Sequence, residues 1–177
     1  MTYARGHELD EAFVLAKRKM LRADLAVVLF TKQSGKLTVV AKGIQKITSR
    51  RISALQTGNL VTISYSKKSQ GPLYLSDVSL ISHFSELKKS HTKIQQMYTF
   101  FYALDSLLPE HQREEAVYRL CKKIMIQLGT ADRTFFPLVH ALSELFSFLG
   151  YGHCQTLDEC REKFMEITGK QMPDSII

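Results

Sequence analysis

The sequence predicts an α+β protein in which a five-stranded OB-type β-barrel is followed by a small α-helical bundle. Three observations support this fold class. Short runs that alternate apolar and polar side chains fill residues 11–81, which is typical of strands. From about residue 90 onward, apolar residues recur at helical spacing. Positive charge is concentrated in residues 1–80, which hold 13 Lys and Arg against 5 Asp and Glu, whereas residues 81–177 hold 11 against 12.

Five strands are predicted in the first part of the chain, at Phe13–Met20, Asp24–Thr31, Lys36–Lys42, Asn59–Tyr65 and Leu73–Ile81. The turn residues Gln33-Ser34-Gly35 make the second and third strands a hairpin. The longest connection lies between the third and fourth strands, where an OB-type barrel has its helical or irregular insert. An SH3-like barrel could be assembled from the same pieces. In the fourth strand, Val61, Ile63 and Tyr65 are expected on one face.

Four helices are predicted after the strands, at residues 90–108, 111–128, 134–149 and 157–168. Pro109 is expected to end the first of them and Gly129 the second. The third is apolar on most sides and is predicted to be central, with Pro137 in its first turn. The pattern therefore predicts a barrel domain in residues 1–82 and a helical domain in residues 83–177.

A basic segment at residues 35–56 is the clearest functional signal in the sequence. It holds five Lys and Arg residues and no Asp or Glu, with Thr48, Ser49 and Ser53 among them. Cationic side chains together with hydroxyl donors are the mixture that contacts nucleic-acid phosphates. An ordinary solvated basic loop is the alternative interpretation of this segment.

Enzymatic chemistry finds no support in the sequence. The six histidines are scattered, and none has a cysteine, serine or carboxylate at a motif spacing. We therefore expect no catalytic residues and no cofactor. The opening residues carry no apolar secretion signal, and no apolar run is long enough to span a bilayer. The odd number of cysteines (Cys121, Cys154 and Cys160) is expected to reflect a reducing cytoplasm rather than a disulfide framework.

Three ordered stretches resemble the RecO family of bacterial DNA repair and recombination mediators. They are LFTKQSGKLTVVAKG at residues 29–43, SRRISALQ at 49–56 and LGYG at 149–152. The resemblance extends over roughly residues 12–152. No single stretch is diagnostic, but their order, spacing and barrel-then-helices layout are together fairly specific.

The resemblance implies an N-terminal OB-fold that binds single- and double-stranded DNA. It also implies annealing of complementary strands and loading of RecA onto strands coated with single-strand-binding protein. The implied partners are RecR and the C-terminal tail of the single-strand-binding protein, with RecA acted on indirectly and no membrane involved.

The DNA-binding candidates lie on two strands and on the loop after them. Lys36 and Lys42 are expected on one face of the third strand. On the first strand Lys17 and Lys19 should face one side and Arg18 the other, and the resemblance favours Lys17 and Arg18. The full set of predicted DNA-binding residues is Lys17, Arg18, Lys36, Lys42, Lys46, Arg50 and Arg51.

The chain departs from the family pattern after the LGYG stretch. Many family members carry a four-cysteine zinc knuckle there, whereas this sequence has only His153, Cys154 and Cys160. A structural zinc site takes four ligands, usually as two close pairs. Cys121 lies at an apolar position of its own helix and is expected to pack in the core. No metal site is therefore predicted.

The residues leave two further functions open. In one, the basic barrel is a protein-interaction adaptor that binds an acidic partner; in the other, the chain is an RNA-binding OB-fold protein. Tyr65 and Tyr74 are the plausible base-stacking residues, although core packing fits both equally well. Binding is therefore expected to depend on backbone electrostatics, with little base preference and steep salt dependence.

Overall fold

The computed structural model of the protein describes residues 8–21, 24–43, 50–67, 71–130 and 138–173. The barrel elements are β1 (Glu8–Lys19), β2 (Leu25–Thr31), β3 (Gly35–Ala41), α1 (Arg50–Ala54), β4 (Leu60–Lys67) and β5 (Leu73–Ser82). The helices after them are α2 (His91–Leu107), α3 (Glu115–Thr130), α4 (Leu138–Phe148) and α5 (Leu157–Thr168), with a short 3-10 turn at Leu87–Lys89.

The strands form a closed barrel in the order β1-β2-β3-β5-β4. Neighbouring strands are antiparallel, except that β3 and β5 pair in parallel through Val39↔Leu73 and Val40↔Tyr74. The helix α1 stands in the connection between β3 and β4, as an OB-type barrel requires. The predicted fold class is confirmed, and the SH3-like assembly is not the one adopted.

The barrel is filled by alternate residues of its strands. The prediction that Val61, Ile63 and Tyr65 share one face of β4 is confirmed, and all three are buried in the barrel. They join a cluster that comprises Ala12, Val14, Val27, Leu29, Leu37, Val39, Ala41, Ala54, Leu55, Leu73 and Val78. Burial of this apolar surface is the main force that holds the strands together.

The first strand begins at Glu8, five residues before the predicted start at Phe13. Its first half pairs with β4 from Glu8↔Tyr65 to Phe13↔Leu60, and its second half pairs with β2. The register with β2 shifts between Val14 and Ala16. The alternation pattern missed the first half because Leu9 is 73% exposed while Asp10 is buried.

Asp10 is buried because it holds the turn between β2 and β3. Its carboxylate accepts hydrogen bonds from the backbone N–H groups of Gln33 and Ser34, each of which lies 3.1 Å from Oδ2. Thr31 supports the same turn, since its hydroxyl donates to the carbonyl of Gly35 at 2.9 Å. The hairpin register is therefore fixed by a charged acceptor as well as by its turn residues.

Substitution of Asp10 by alanine should lower the free energy of unfolding by about 2–3 kcal/mol, because two backbone donors lose a charged acceptor inside the barrel wall. Urea denaturation measures this loss. The matched control is Asp77→Ala, which removes an exposed carboxylate and should cost less than about 0.5 kcal/mol. Equal losses in the two variants would contradict the role assigned to Asp10.

The described residues divide into two compact units. The barrel unit extends to His83 and also includes Pro109–Arg113; the helical unit comprises Phe84–Leu108 and the chain from Glu114 onward. In the barrel unit, the N–H of His111 donates to the carbonyl of Lys36 at 2.9 Å. The hydroxyl of Thr38 donates to Glu110 Oε1 at 2.7 Å.

The helical unit has a core of aromatic and aliphatic side chains, which includes Phe100, Phe101, Leu104, Val117, Cys121, Ile124, Leu142, Leu145, Phe146 and Phe164. The prediction for α2 is confirmed to within one residue at each end. Ser90 begins this helix by accepting a hydrogen bond from the N–H of Lys93. No helix in the described ranges is both long and apolar enough to cross a bilayer.

Two helix boundaries differ from the prediction. The helix α3 starts at Glu115 rather than at residue 111, because the chain before it forms the hydrogen bonds with β3. It also continues through Gly129 to Thr130, whose hydroxyl donates to the carbonyl of Ile126. The described part of α4 begins at Leu138. The predicted position of Pro137 lies outside the described residues.

The expectation that the cysteines form no disulfide is wrong, because Cys154 and Cys160 are bonded to each other. A short loop between α4 and α5 brings Cys154 to the first turn of α5, where Cys160 lies. Both residues are buried. The remaining cysteine, Cys121, is fully buried in α3, as the sequence predicted, and burial raises the pKa of its thiol well above its usual value.

Alkylation should distinguish these cysteines. In the folded protein at pH 8, Cys121 should resist iodoacetamide, because burial excludes the reagent and the raised pKa keeps the thiol protonated. Denaturation without reductant should then expose one reactive thiol, and denaturation with reductant all three. Mass spectrometry counts the labels, and three labels without reductant would contradict the disulfide.

Candidate nucleic-acid interface

The topology of the barrel collects basic residues at one of its ends. Lys19, Leu25 and Ala41 lie side by side in the register of β1, β2 and β3. Lys42 directly follows Ala41 at this end, whereas Lys67 lies two residues beyond Tyr65, which pairs with Glu8 at the start of β1. We call the end at Lys19 and Ala41 the cationic end and define it by the described residues Lys17, Arg18, Lys19 and Lys42.

The predicted division of the first strand between two faces is confirmed by the register. Lys17 is paired with Val27, and Lys19 with Leu25, so both share the face of the barrel interior. Arg18 is paired with Ala26 and points to the outer face. All three side chains are exposed at the end of the strand, beyond the packed core.

The outer face continues across the sheet from Arg18. The register places Ala26 opposite Val40, and Val40 opposite Tyr74. Lys42 follows β3, and its Nζ lies 4.4 Å from the centroid of the Tyr74 ring. A cation over an aromatic face is held in place while it still presents its charge to solvent. Arg18 and Lys42 are thus outer-face cations on neighbouring parts of one sheet.

Basic residues outnumber acidic residues among the described residues of the cationic end. Asp24 is the acidic residue that the described ranges place there, and its Oδ1 accepts a hydrogen bond from the N–H of Gly43 at 2.9 Å. The cationic end therefore presents a net positive field to solvent.

The predicted basic loop is described only in its last part. Lys46 lies outside the described residues, and the side chain of Arg50 is likewise not among them. Arg51 lies in α1, and its Nη2 is 3.1 Å from Asp77 Oδ1 in an exposed ion pair. The side chain of Asn59 fixes this short helix, since its Nδ2 donates to the carbonyls of Ser53 and Ala54 at 2.9 Å.

Lys36 and Lys42 share a face, as predicted, but they lie at opposite ends of β3. Six residues of extended chain separate their Cα atoms by roughly 20 Å. Lys36 is only 9% exposed, while Lys42 is exposed. The structure therefore brings Lys17, Arg18 and Lys42 to one end of the barrel and leaves Lys36 away from them.

The two candidate stacking tyrosines have different environments. Tyr65 is 5% exposed and belongs to the barrel core, where its hydroxyl donates to Ser34 Oγ at 2.8 Å. Core packing is therefore the role of Tyr65. Tyr74 is half-buried on the outer face beneath Lys42, so part of its ring is accessible there.

Lys19 also lies at this end, although the predicted set of DNA-binding residues left it out in favour of Lys17 and Arg18. It ends β1 and is exposed. The signal that could have selected it is the pairing of β1 with β2 and of β2 with β3, which places Lys19 beside Leu25 and Ala41, next to Lys42. A linear scan for basic runs does not contain that information.

The residues at the position of the family's zinc knuckle do not fit a metal site. The sulfur atoms of Cys154 and Cys160 are bonded to each other and are not thiolate ligands. The ring nitrogens of His153 lie 3.4 Å from Ser143 Oγ and 3.3 Å from Ser147 Oγ. In the described ranges, no group of three or more His, Cys, Asp or Glu residues is arranged to hold a metal ion.

A cavity of about 270 Å³ opens between α3 and α4 within the helical unit. Its lining combines apolar surface with two cations and one carboxylate, and consists of Ala116, Arg119, Leu120, Lys123, Glu144 and Phe148. Phe148 is 54% exposed. Lys123 Nζ lies 3.5 Å from Glu144 Oε1. The cavity can accommodate an apolar side chain of a ligand, and its two cations suit negatively charged groups on the same ligand.

The chain is similar to known proteins in its barrel, and this similarity continues into the helices. Residues 7–84 match the family model described as "Recombination protein O N terminal". The chain is 32% identical over 143 residues to the "DNA repair protein RecO" of Symbiobacterium thermophilum, covering 80% of this chain and 56% of that protein. A protein with the same description from a Thermoanaerobacter species is 29% identical over 156 residues, covering 85% and 60%.

A third relative, the "DNA repair protein RecO" of Syntrophus aciditrophicus, is 24% identical over 142 residues, covering 77% of this chain and 55% of that protein. The chain thus spans between half and two thirds of the length of the curated relatives that it matches. The family model covers the barrel, and the relatives extend into the helices. The chain belongs to the RecO family.

Proposed function

We propose that this protein is a non-enzymatic DNA-binding mediator of DNA repair and recombination, and that its barrel binds the phosphate backbone at the cationic end. The observation that supports this most directly is the convergence of Lys17, Arg18 and Lys19 of β1 with Lys42, which follows β3, onto one end of an OB-type barrel. Family membership supports a role in DNA repair.

The physical basis of binding is release of counterions from the nucleic acid. Each lysine that neutralises a phosphate displaces condensed cations, so affinity falls as salt concentration rises. Phosphate contacts carry no sequence information, so one surface can hold strands of any sequence. Two complementary strands on this surface repel each other less, which favours their annealing.

The site in this proposal comprises Lys17, Arg18 and Lys42 of the predicted residues, together with Lys19. Arg50, Arg51 and Lys46 extend it along the segment before β4. Arg51 takes part when a phosphate replaces Asp77 as its partner. Lys36 is the exception, since its burial argues against a direct phosphate contact.

Family membership supports the finer steps of this proposal. The protein acts in the cytoplasm, anneals single strands, binds duplex DNA, and works with RecR to help load RecA onto strands coated by single-strand-binding protein. The cavity between α3 and α4 is the proposed docking place for the tail of the single-strand-binding protein. Its exposed Phe148 and the cations Arg119 and Lys123 suit a peptide that combines apolar side chains with carboxylates.

A salt series tests the DNA-binding proposal. The anisotropy of a labelled single strand of about 30 nucleotides should report micromolar or tighter binding at about 50 mM salt, and the affinity should fall steeply toward about 200 mM. Unlabelled strands of unrelated sequence should compete fully. Absence of binding by the folded protein at low salt would overturn the proposal, and competition by an acidic protein but not by DNA would favour the adaptor. A markedly higher affinity for RNA of the same sequence would favour the RNA-binding alternative.

The tail-docking proposal has its own test. The Phe148→Ser variant should bind the C-terminal tail peptide of the single-strand-binding protein about tenfold more weakly than wild type, because the cavity loses an apolar wall. Isothermal titration calorimetry measures the affinity. The matched control is Met165→Ser, which removes a comparably exposed apolar side chain from α5 and should leave the affinity unchanged. An equal loss in both variants would contradict docking at this cavity.

A further inference from the structure

The turn between β1 and β2 presents two apolar side chains at the cationic end. Leu21 is 89% exposed, the highest value among the large apolar side chains of the described ranges, and Met20 is 46% exposed. Single exposed apolar residues are common on protein surfaces. This pair differs from a random surface residue in its position, because it directly follows the basic run at Lys17–Lys19.

Hydrogen bonds hold this turn at the barrel end. The N–H of Met20 donates to the carbonyl of Asp24 at 3.0 Å, and the N–H of Asp24 donates back to the carbonyl of Leu21 at 3.5 Å. The carboxylate of Asp24 also accepts from the N–H of Gly43, which ties the turn to the end of β3. The apolar side chains therefore have a defined place beside Lys42.

A nucleic acid supplies the matching surface for this arrangement. Its phosphates are complementary to the lysines that flank the turn, and its bases have apolar faces. A strand whose backbone lies against Lys17 and Lys42 brings its bases near the two side chains between them. Apolar side chains that insert between base steps in this way unstack the bases, and burial of the side chain offsets that cost.

We propose that Met20 and Leu21 form an apolar wedge that inserts between neighbouring bases of a nucleic-acid strand held at the cationic end. This inference rests on the proposed function and adds a base contact to a phosphate-binding surface. A strand bound in this way presents locally unstacked bases. Such bases are accessible to a complementary strand, so the wedge links binding to annealing.

The Leu21→Ser variant of the full chain tests the wedge against a strand that contains the fluorescent base 2-aminopurine. Binding of wild-type protein should raise the fluorescence, because unstacking relieves quenching by neighbouring bases. The variant should lose most of this rise, and its Kd at low salt should be about fivefold higher, the lower limit for loss of one stacking contact. The slope of log affinity against log salt should not change, since no phosphate contact is removed.

Leu9→Ser is the matched control, because Leu9 is a 73%-exposed leucine on the same barrel, near the opposite end of β1. It should behave like wild type in both measurements. A second variant, Met20→Ser, should reduce the fluorescence rise in the same direction as Leu21→Ser. Circular dichroism melting should show all three variants folded.

The outcomes separate the wedge from the DNA-binding proposal. If wild-type protein binds with steep salt dependence but Leu21→Ser retains both affinity and fluorescence rise, the wedge is wrong and the phosphate-binding surface stands. If wild type does not bind DNA, both fail. If Leu21→Ser loses binding to anionic lipid vesicles while its 2-aminopurine signal is unchanged, the turn contacts membranes and the wedge is overturned.

Discussion

The Gly35→Ala variant should lose about 4 kcal/mol of unfolding free energy, enough to leave a domain of ordinary stability largely unfolded. Gly35 has a φ of +73°, a conformation that costs an L-residue about 1–2 kcal/mol. In addition, a Cβ atom there would lie 1.9 Å from the backbone carbonyl oxygen of Gln112. That contact involves backbone rather than a flexible side chain, so Pro109–Arg113 would have to move away from β3.

Movement of this segment would also break two observed contacts. The hydrogen bond from the N–H of His111 to the carbonyl of Lys36 and the one from Thr38 to Glu110 both depend on its position. Urea denaturation followed by circular dichroism measures the total loss.

Gly43→Ala is the matched control, because Gly43 also has a positive φ of +62°, but no atom of the described residues lies within 4 Å of an added Cβ. Its loss should be confined to backbone strain, about 1–2 kcal/mol. The difference between the two losses of unfolding free energy measures the cost of the clash between a Cβ atom at residue 35 and the backbone of Gln112. If both variants lose the same free energy, the close approach contributes nothing and the prediction is wrong.

The barrel was predictable wherever the apolar alternation reflected one buried face. Val61, Ile63 and Tyr65 showed this clearly, and the turn at Gln33-Ser34-Gly35 marked the hairpin. The first half of β1 escaped because a buried aspartate inverts the pattern there. Asp10 is buried for its hydrogen bonds to the turn, and hydropathy cannot anticipate a polar group that is satisfied by backbone N–H groups distant in sequence.

The segment at residues 109–113 shows a second limit. It is polar and directly precedes the apolar residues at helical spacing that begin with Val117, so the helix was predicted from residue 111. In the structure, His111 instead has a φ of +62°, and its backbone N–H donates a hydrogen bond to the carbonyl of Lys36 in β3. Contacts between residues about 75 positions apart, as here, override local propensity, and a single sequence contains no record of them.

The candidate site was predictable as a region of charge but not as a set of residues. Lys17, Arg18 and Lys42 do meet at one end of the barrel. Lys36 fulfils the same strand pattern, yet its end of β3 is covered. Lys19 was left out because its closeness to Lys42 becomes clear only when β2 is known to lie between β1 and β3. Strand order, rather than composition, decides which lysines act together.

The Lys17→Glu, Lys42→Glu double variant should bind single-stranded DNA at least about 30-fold more weakly than wild type at about 50 mM salt. Both side chains are exposed at the cationic end, and each reversal replaces an attraction for phosphate by a repulsion. Because each lost contact removes about 0.7 from the slope of log affinity against log salt for single strands, the slope should fall by at least about 1.4. Anisotropy across a salt series measures both quantities.

The Lys32→Glu, Lys170→Glu double variant separates a local site from the effect of net charge. It changes the net charge by the same amount, but Lys32 lies in the turn at the opposite end of the barrel, and Lys170 follows α5 in the helical unit. A long-range field of the whole chain would weaken binding equally in the two variants. A local phosphate-binding surface would leave the slope of this control at the wild-type value. The slopes thus decide whether the barrel holds DNA at one end or attracts it through total charge alone, since only lost contacts reduce counterion release.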